Sequence, residues 1–186
     1  MNQTIKTIKE RRSIRKFKPE QLEDQVLSEI IEAGLYAPSG HNMQTWHFTV
    51  IQRKEIIHEM NIASKESAKN FPDEIIQKMA NNDKLDIFYG APTVVIVSGK
   101  KDGMTTQADC GAATQNMLLA AESLGIGSCW NGFIGFLFAG EKGQEYISKL
   151  NIPEGYVPLH AVSLGHKDSN PVNAPARKDN TVHYIR

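Results

Sequence analysis

The sequence predicts an α+β fold. Three observations carry that expectation. Helical and strand patterns are mixed without the regular βαβ alternation of a doubly wound sheet. Thr93–Val97 is a continuous apolar run bounded by Pro92 and Gly99, as in a strand buried on both faces. Residues 107–124 form a helical stretch that is rich in Ala, Leu and Met on nearly every side. Such a helix is expected deep in a core or in a subunit interface.

The elements follow in order. A short helix is expected near Thr4–Lys9, with Ile5 and Ile8 on one face. After Pro19, Leu22, Val26, Leu27, Ile30, Ile31 and Leu35 recur at helical spacing. Glu20, Glu23 and Asp24 suit the positive end of that helix dipole. Ala37-Pro38-Ser39-Gly40 stops the helix and opens a polar loop. Trp46–Ile51 reads as a strand of roughly alternating β-branched and aromatic residues. Residues 52–86 are helical in character but weakly patterned and polar, hence expected at the periphery. Gly125 is placed to cap the apolar helix. A Gly-rich segment over Gly125–Gly135, a helix near Glu141–Leu150 and a strand near Tyr156–Leu164 complete the body. No repeat, linker or low-complexity tract divides the chain, so residues 1–186 are expected to form one domain.

Composition narrows the function. The formal net charge of the 186 residues is zero, so no global field points to nucleic acid or to an anionic membrane. The balance is uneven, because residues 1–18 hold seven Lys or Arg against one acid, Glu10. A nucleic-acid binder using residues 6–18 is a weak alternative, since no aromatic residues interleave with the cations. Cys110 and Cys129 form no CxxC and no zinc spacing, and so few cysteines suit a reducing compartment. With neither an apolar signal core nor a ~20-residue apolar span, a cytoplasmic location is expected. The six histidines have no ligand spacing, so no metal is expected.

The chemistry concentrates in three segments. In Arg11-Arg12-Ser13-Ile14-Arg15-Lys16-Phe17, an extended backbone turns Arg11, Ser13 and Arg15 to one side. Arg is the natural fork for phosphate or a carbonyl oxygen. The loop Ala37–Trp46 is dense in side-chain amides and hydroxyls. The Gly-rich segment reaches Cys129-Trp130-Asn131-Gly132, whose backbone N–H groups could face a planar ligand. Gly125-Ile126-Gly127-Ser128-Cys129-Trp130 is not a dinucleotide loop: Trp130 takes the third glycine position, and the segment follows a helix rather than a strand. It is no GxSxG elbow either. Cys129 reads as packing rather than as a nucleophile.

Taken together these segments resemble the signature of the FMN-dependent nitroreductase family. Four stretches match in order: R-R-S-x-R-x-F, A-P-S-x-x-N-x-Q-x-W, the Ala-rich helix into L-G-I-G-S-C-W, and basic Arg177-Lys178 shortly before V-H-Y-I. The match is weakest over residues 53–86. The resemblance implies a three-layer α+β sandwich with helices around a largely antiparallel sheet, and a homodimer with flavin sites shared between subunits. It implies that Arg11, Arg12, Ser13 and Arg15 hold the FMN phosphate, ribityl chain and pyrimidine edge. Pro38, Ser39 and Asn42 would reach the flavin from the partner subunit, and Arg177 and Lys178 would flank the phosphate. Cys129, Trp130, Asn131 and Gly132 would lie along the isoalloxazine near N5. No side chain need be the acid or base, because the cofactor carries the chemistry. The implied activity is transfer of hydride from NADPH or NADH through FMN to nitroaromatics, quinones or related small acceptors. A non-catalytic flavin-binding or flavin-sensing module is the alternative. Thr45 stands where the family usually has Pro, a change expected to loosen the loop. Asn131 stands where better-known members carry a carboxylate, which leaves donor selectivity open.

Overall fold

The computed structural model describes residues 1–171 and 173–186. Its centre is a four-stranded sheet of β1 (Trp46–Ile51), β2 (Thr93–Lys100), β3 (Ile126–Asn131) and β4 (Tyr156–His166). The strand order is β1-β2-β4-β3 and every pair is antiparallel. The helices are α1 (Gln3–Glu10), α2 (Asp24–Leu35), α3 (Lys54–Ala68), α4 (Glu74–Ala80), α5 (Thr106–Ser123), α6 (Gly135–Ala139) and α7 (Gly143–Lys149).

Alternation along β2 explains the layering. Val95 and Val97 point to one face, where they meet Leu27 and Ile30 of α2 and Met117 and Leu118 of α5. Val94 and Ile96 point to the other, where they meet Met60 of α3, Leu137 of α6 and Tyr146 of α7. Both faces of β2 are therefore covered, which is why its sequence is apolar throughout rather than alternating. The result is the three-layer α+β sandwich with an antiparallel sheet. None of the described helices is long and apolar enough to cross a membrane.

Two expectations need correction. Residues 52–86 are not peripheral: Ile57, Met60, Ala63 and Ala68 of α3 belong to the larger core cluster. The polar residues of that stretch form the outer side of a helix whose inner side closes the sandwich. The helix after Pro19 begins only at Asp24, and Leu22 is buried ahead of it, outside the helix. The Gly-rich segment, left without an assignment in the sequence, forms edge strand β3, followed by the short α6. Gly127 belongs there because an added Cβ would lie 3.1 Å from both Ile14 Cγ2 and Gly165 O. Within one chain α5 buries Cys110, Ala113, Thr114, Met117, Leu118 and Ala121, while Gln107, Ala108 and Gln115 are exposed, which leaves both expected settings, core and subunit interface, open.

The edge of β3 is covered by the N-terminal segment. Ile14 N–H donates to Ser128 O at 2.9 Å, and Lys18 N–H donates to His166 O at 2.9 Å. Ile14 and Phe17 are buried there with Ala91 and Cys129, so the arginines between and before them are carried on a fixed strip of backbone.

Candidate functional site

Chain geometry brings the cations of residues 11–15 onto β3. Helix α1 ends at Arg11, whose backbone turns extended. Arg12 folds back and donates Nη1–H to the carbonyls of Lys9 (2.7 Å) and Arg11 (2.8 Å), a favourable place for a cation beside a helix C-terminus. Its Nε is buried with no acceptor. Arg15 lies 5.9 Å from the centroid of the Tyr89 ring. Burial pushes the Cys129 thiol pKa up, while Arg15, the Ser13 hydroxyl and Arg11 draw it down. Lys16 pairs with Asp168 and Lys167 with Glu122, yet no ion pair among the described residues involves Arg11, Arg12 or Arg15. These three guanidinium groups, close together in sequence, therefore have no carboxylate partner among the described residues.

Along β3 the side chains separate by face. Cys129 is buried beside the arginines, whereas Trp130 is 42% exposed. Trp130 rests on His160, with centroids 4.3 Å apart and planes 30° apart. His160 Nε2 lies 2.7 Å from Thr114 Oγ1 on α5, and burial lowers its pKa to about 4. The indole is thus backed by a neutral imidazole at ordinary pH. Asn131 is turned inward, its amide donating to Ile87 O and its carbonyl accepting Ile134 N–H at 3.4 Å. Gly132 faces open space. Tyr89, His160 and Thr114 were not legible as site residues. Tyr89 has φ +62°, uncommon for a bulky residue, a signal only the backbone carries.

The loop after α2 is a separate structure. Pro38 and Asn42 are exposed and Ser39 is half-buried. His41, Asn42 and Gln44 all have positive φ, at 50°, 55° and 45°. Ser39 Oγ accepts Gln44 N–H at 3.0 Å, and Asn42 Oδ1 accepts the Gln44 amide at 3.1 Å. These bonds leave the Ser39 hydroxyl proton and the Asn42 amide available outward. Asp109 on α5 accepts Gly40 N–H (3.1 Å) and the hydroxyls of Thr45 (2.8 Å) and Thr105 (3.0 Å). The expected loosening at Thr45 is therefore offset, because Thr45 is buried and tied down.

The profile of the nitroreductase family matches residues 8–166. The chain belongs to the nitroreductase family. A nitroreductase from Bacteroides fragilis, crystallised with bound FMN, has a similar fold, with a TM-score of 0.92 and 33% identity over all of both chains. The NADPH-flavin oxidoreductase of Vibrio harveyi is 32% identical over 94% of this chain and 70% of its own length. The FMN reductase [NAD(P)H] of Bacillus subtilis is 27% identical over 99% of this chain and 74% of its own.

Against the nitroreductase pattern, the structure joins two of the expected groups and leaves two apart. Arg11, Ser13 and Arg15 lie on the strip that pairs with β3 at Ser128, next to Cys129, with Arg12 adjoining at the end of α1. The Pro38–Asn42 loop is anchored instead at the N-terminal end of α5. Residues 173–186 are exposed, and Arg177 bonds only to Pro175 O among the described residues. Arg177 and Lys178 therefore do not reach the 11–15 cluster within this chain. No group of three or more His, Cys, Asp or Glu converges as a metal site among the described residues.

Proposed function

We propose that the chain is an NAD(P)H-dependent FMN oxidoreductase acting on nitroaromatics, quinones or related small acceptors. The observation that carries this reading is the Arg11, Arg12 and Arg15 cluster, without a carboxylate partner among the described residues, with Ser13 and next to Cys129 in a chain of this family. Clustered like charges repel, and a dianionic ligand turns that cost into binding. FMN carries such a phosphate, and Arg12 keeps a buried N–H with no acceptor inside the chain. The residues therefore fit the cofactor.

When bound, FMN supplies the redox chemistry, accepting hydride from NAD(P)H and passing reducing equivalents to the acceptor. The chain's own groups bind and orient. Arg11, Arg12, Ser13 and Arg15 hold phosphate, ribityl and pyrimidine oxygens through charge-assisted hydrogen bonds. A cation at the pyrimidine edge favours the reduced form, which gathers negative charge there. Cys129, Trp130, Asn131 and Gly132 line the ring, with Trp130 offering an exposed flat face and Asn131 holding backbone rather than ligand. Ser39 and Asn42, with Pro38, come from a second copy, and Arg177 and Lys178 flank the phosphate. The remoteness of that loop from residues 11–15 in one chain supports the shared arrangement, as does the partly open side of α5.

The decisive experiment is the visible spectrum of the purified protein before and after anaerobic NADPH or NADH, with chromatography of the released flavin. Oxidised-flavin absorbance, FMN rather than FAD, and bleaching by reduced nicotinamide are expected. A colourless protein that fails to take up added FMN overturns the reading. Bound flavin that is never reduced would leave a flavin-binding module in its place.

A further inference from the structure

We infer that Asp109 is the positioning residue of the Pro38–Asn42 loop, and that Thr45 is its working partner in place of the family's proline. The inference rests on the proposed FMN role of that loop.

Asp109 is 3% exposed, and none of the ion pairs among the described residues includes it. A carboxyl group so placed needs hydrogen-bond partners. It has three: Gly40 N–H on Oδ1, and the Thr45 and Thr105 hydroxyls on Oδ2. Two of the three donors belong to this stretch: Gly40 opens the 3₁₀ turn, Gly40–Asn42, and Thr45 follows it. The third, Thr105, presses on Gly40, where a Cβ would lie 2.5 Å from Thr105 Oγ1. Between the two tied ends, His41, Asn42 and Gln44 occupy the left-handed region, which is unfavourable for residues with side chains. Strained backbone persists only where its surroundings over-determine it. Asp109 supplies that determination from α5, outside the loop.

A proline at position 45 would restrict the loop covalently but could donate no hydrogen bond. Thr45 does the same work through its hydroxyl, which makes position 45 dependent on Asp109. An acid in the first turn of α5 also suits the helix dipole, and that role alone would predict lost stability without any effect on the loop.

The test compares Asp109→Ala and Thr45→Val with the parent, well below their melting temperatures. FMN dissociation constants come from flavin fluorescence, and hydrogen exchange of the Gly40 amide is followed without flavin. Asp109→Ala should weaken FMN binding about 10-fold or more, the loss typical of a charged hydrogen bond. Thr45→Val should shift it the same way by a few-fold, and saturating FMN should restore turnover in both. Gly40 exchange should quicken in both variants, while amides of β2 keep their protection. Parent-like affinity and parent-like Gly40 exchange in Asp109→Ala overturn the inference. Should that variant fail to fold, the same result in Thr45→Val does so. A parent that binds no FMN defeats the reading of the site instead, and the exchange measurement still decides whether the clamp exists.

Discussion

Burial keeps two side chains beside the candidate site uncharged, by opposite shifts. The Cys129 thiol is pushed up, and the His160 imidazole is pulled down to about 4. His160 has a consequence for stability. Its folded pKa lies below the unfolded value of 6.5, so the unfolded chain takes up the proton first. Its contribution is whole above pH 6.5 and is lost as pH falls toward 4, by up to ~1.4 kcal/mol per unit. Denaturant titrations from pH 7 to pH 4.5 should show the decline, and His160→Gln should flatten it. A slope unchanged in the variant would assign the acid sensitivity elsewhere. For Cys129, a raised pKa and a buried sulfur imply slow alkylation, and Cys129→Ser should keep most turnover; complete loss would point to thiol chemistry. The arginines could be read from sequence because neighbours in the chain remain neighbours on extended backbone. Asp109 and His160 could not, because their partners Gly40 and Thr114 stand 69 and 46 residues away.

Strands and helices divided along the same line. Trp46–Ile51 and the 93–97 run were legible because their patterns are local, and β2 continues that run to Lys100. Helix α3 was misjudged as peripheral because its buried line is interrupted by polar Ser64, which satisfies itself by bonding Met60 O at 2.7 Å. The Gly-rich segment carried no strand assignment because its glycines mask the pattern; of them Gly127 marks a close approach between elements. Gly99 on β2 states this most sharply. A Cβ there would stand 2.2 Å from Thr106 Cγ2 and 3.1 Å from Cys110 Sγ on α5. Gly99→Ala should therefore force α5 away from the sheet, at a cost of about 1–3 kcal/mol. That corresponds to a fall in Tm of roughly 2–12 °C for a chain of this size, readable by calorimetry. An unchanged Tm would mean that α5 packs more loosely than these distances imply.

For the molecule as a whole, the sandwich and the family were legible through four motifs in register, while the subunit arrangement lies beyond one chain. The shared-site proposal can be tested with two inactive variants, one altered at Arg12 and Ser13, the other at Ser39 and Asn42. Refolded together, about half of the dimers should be mixed, each with one intact and one doubly damaged site. Roughly a quarter of parental activity per site should return. Demonstrably mixed dimers without recovery, or an active monomer, would refute the arrangement. The strip that carries Arg11–Arg15 has a further consequence for how the chain is made. Ile14 and Lys18 are held by Ser128 and His166, so the strip is fixed by residues synthesised long after it. At typical synthesis rates of 5–20 residues per second it waits roughly 8–30 s for its partners. The cation cluster is therefore fixed only after β3 and β4 have been made, and a nascent chain that lacks them cannot present it for cofactor capture.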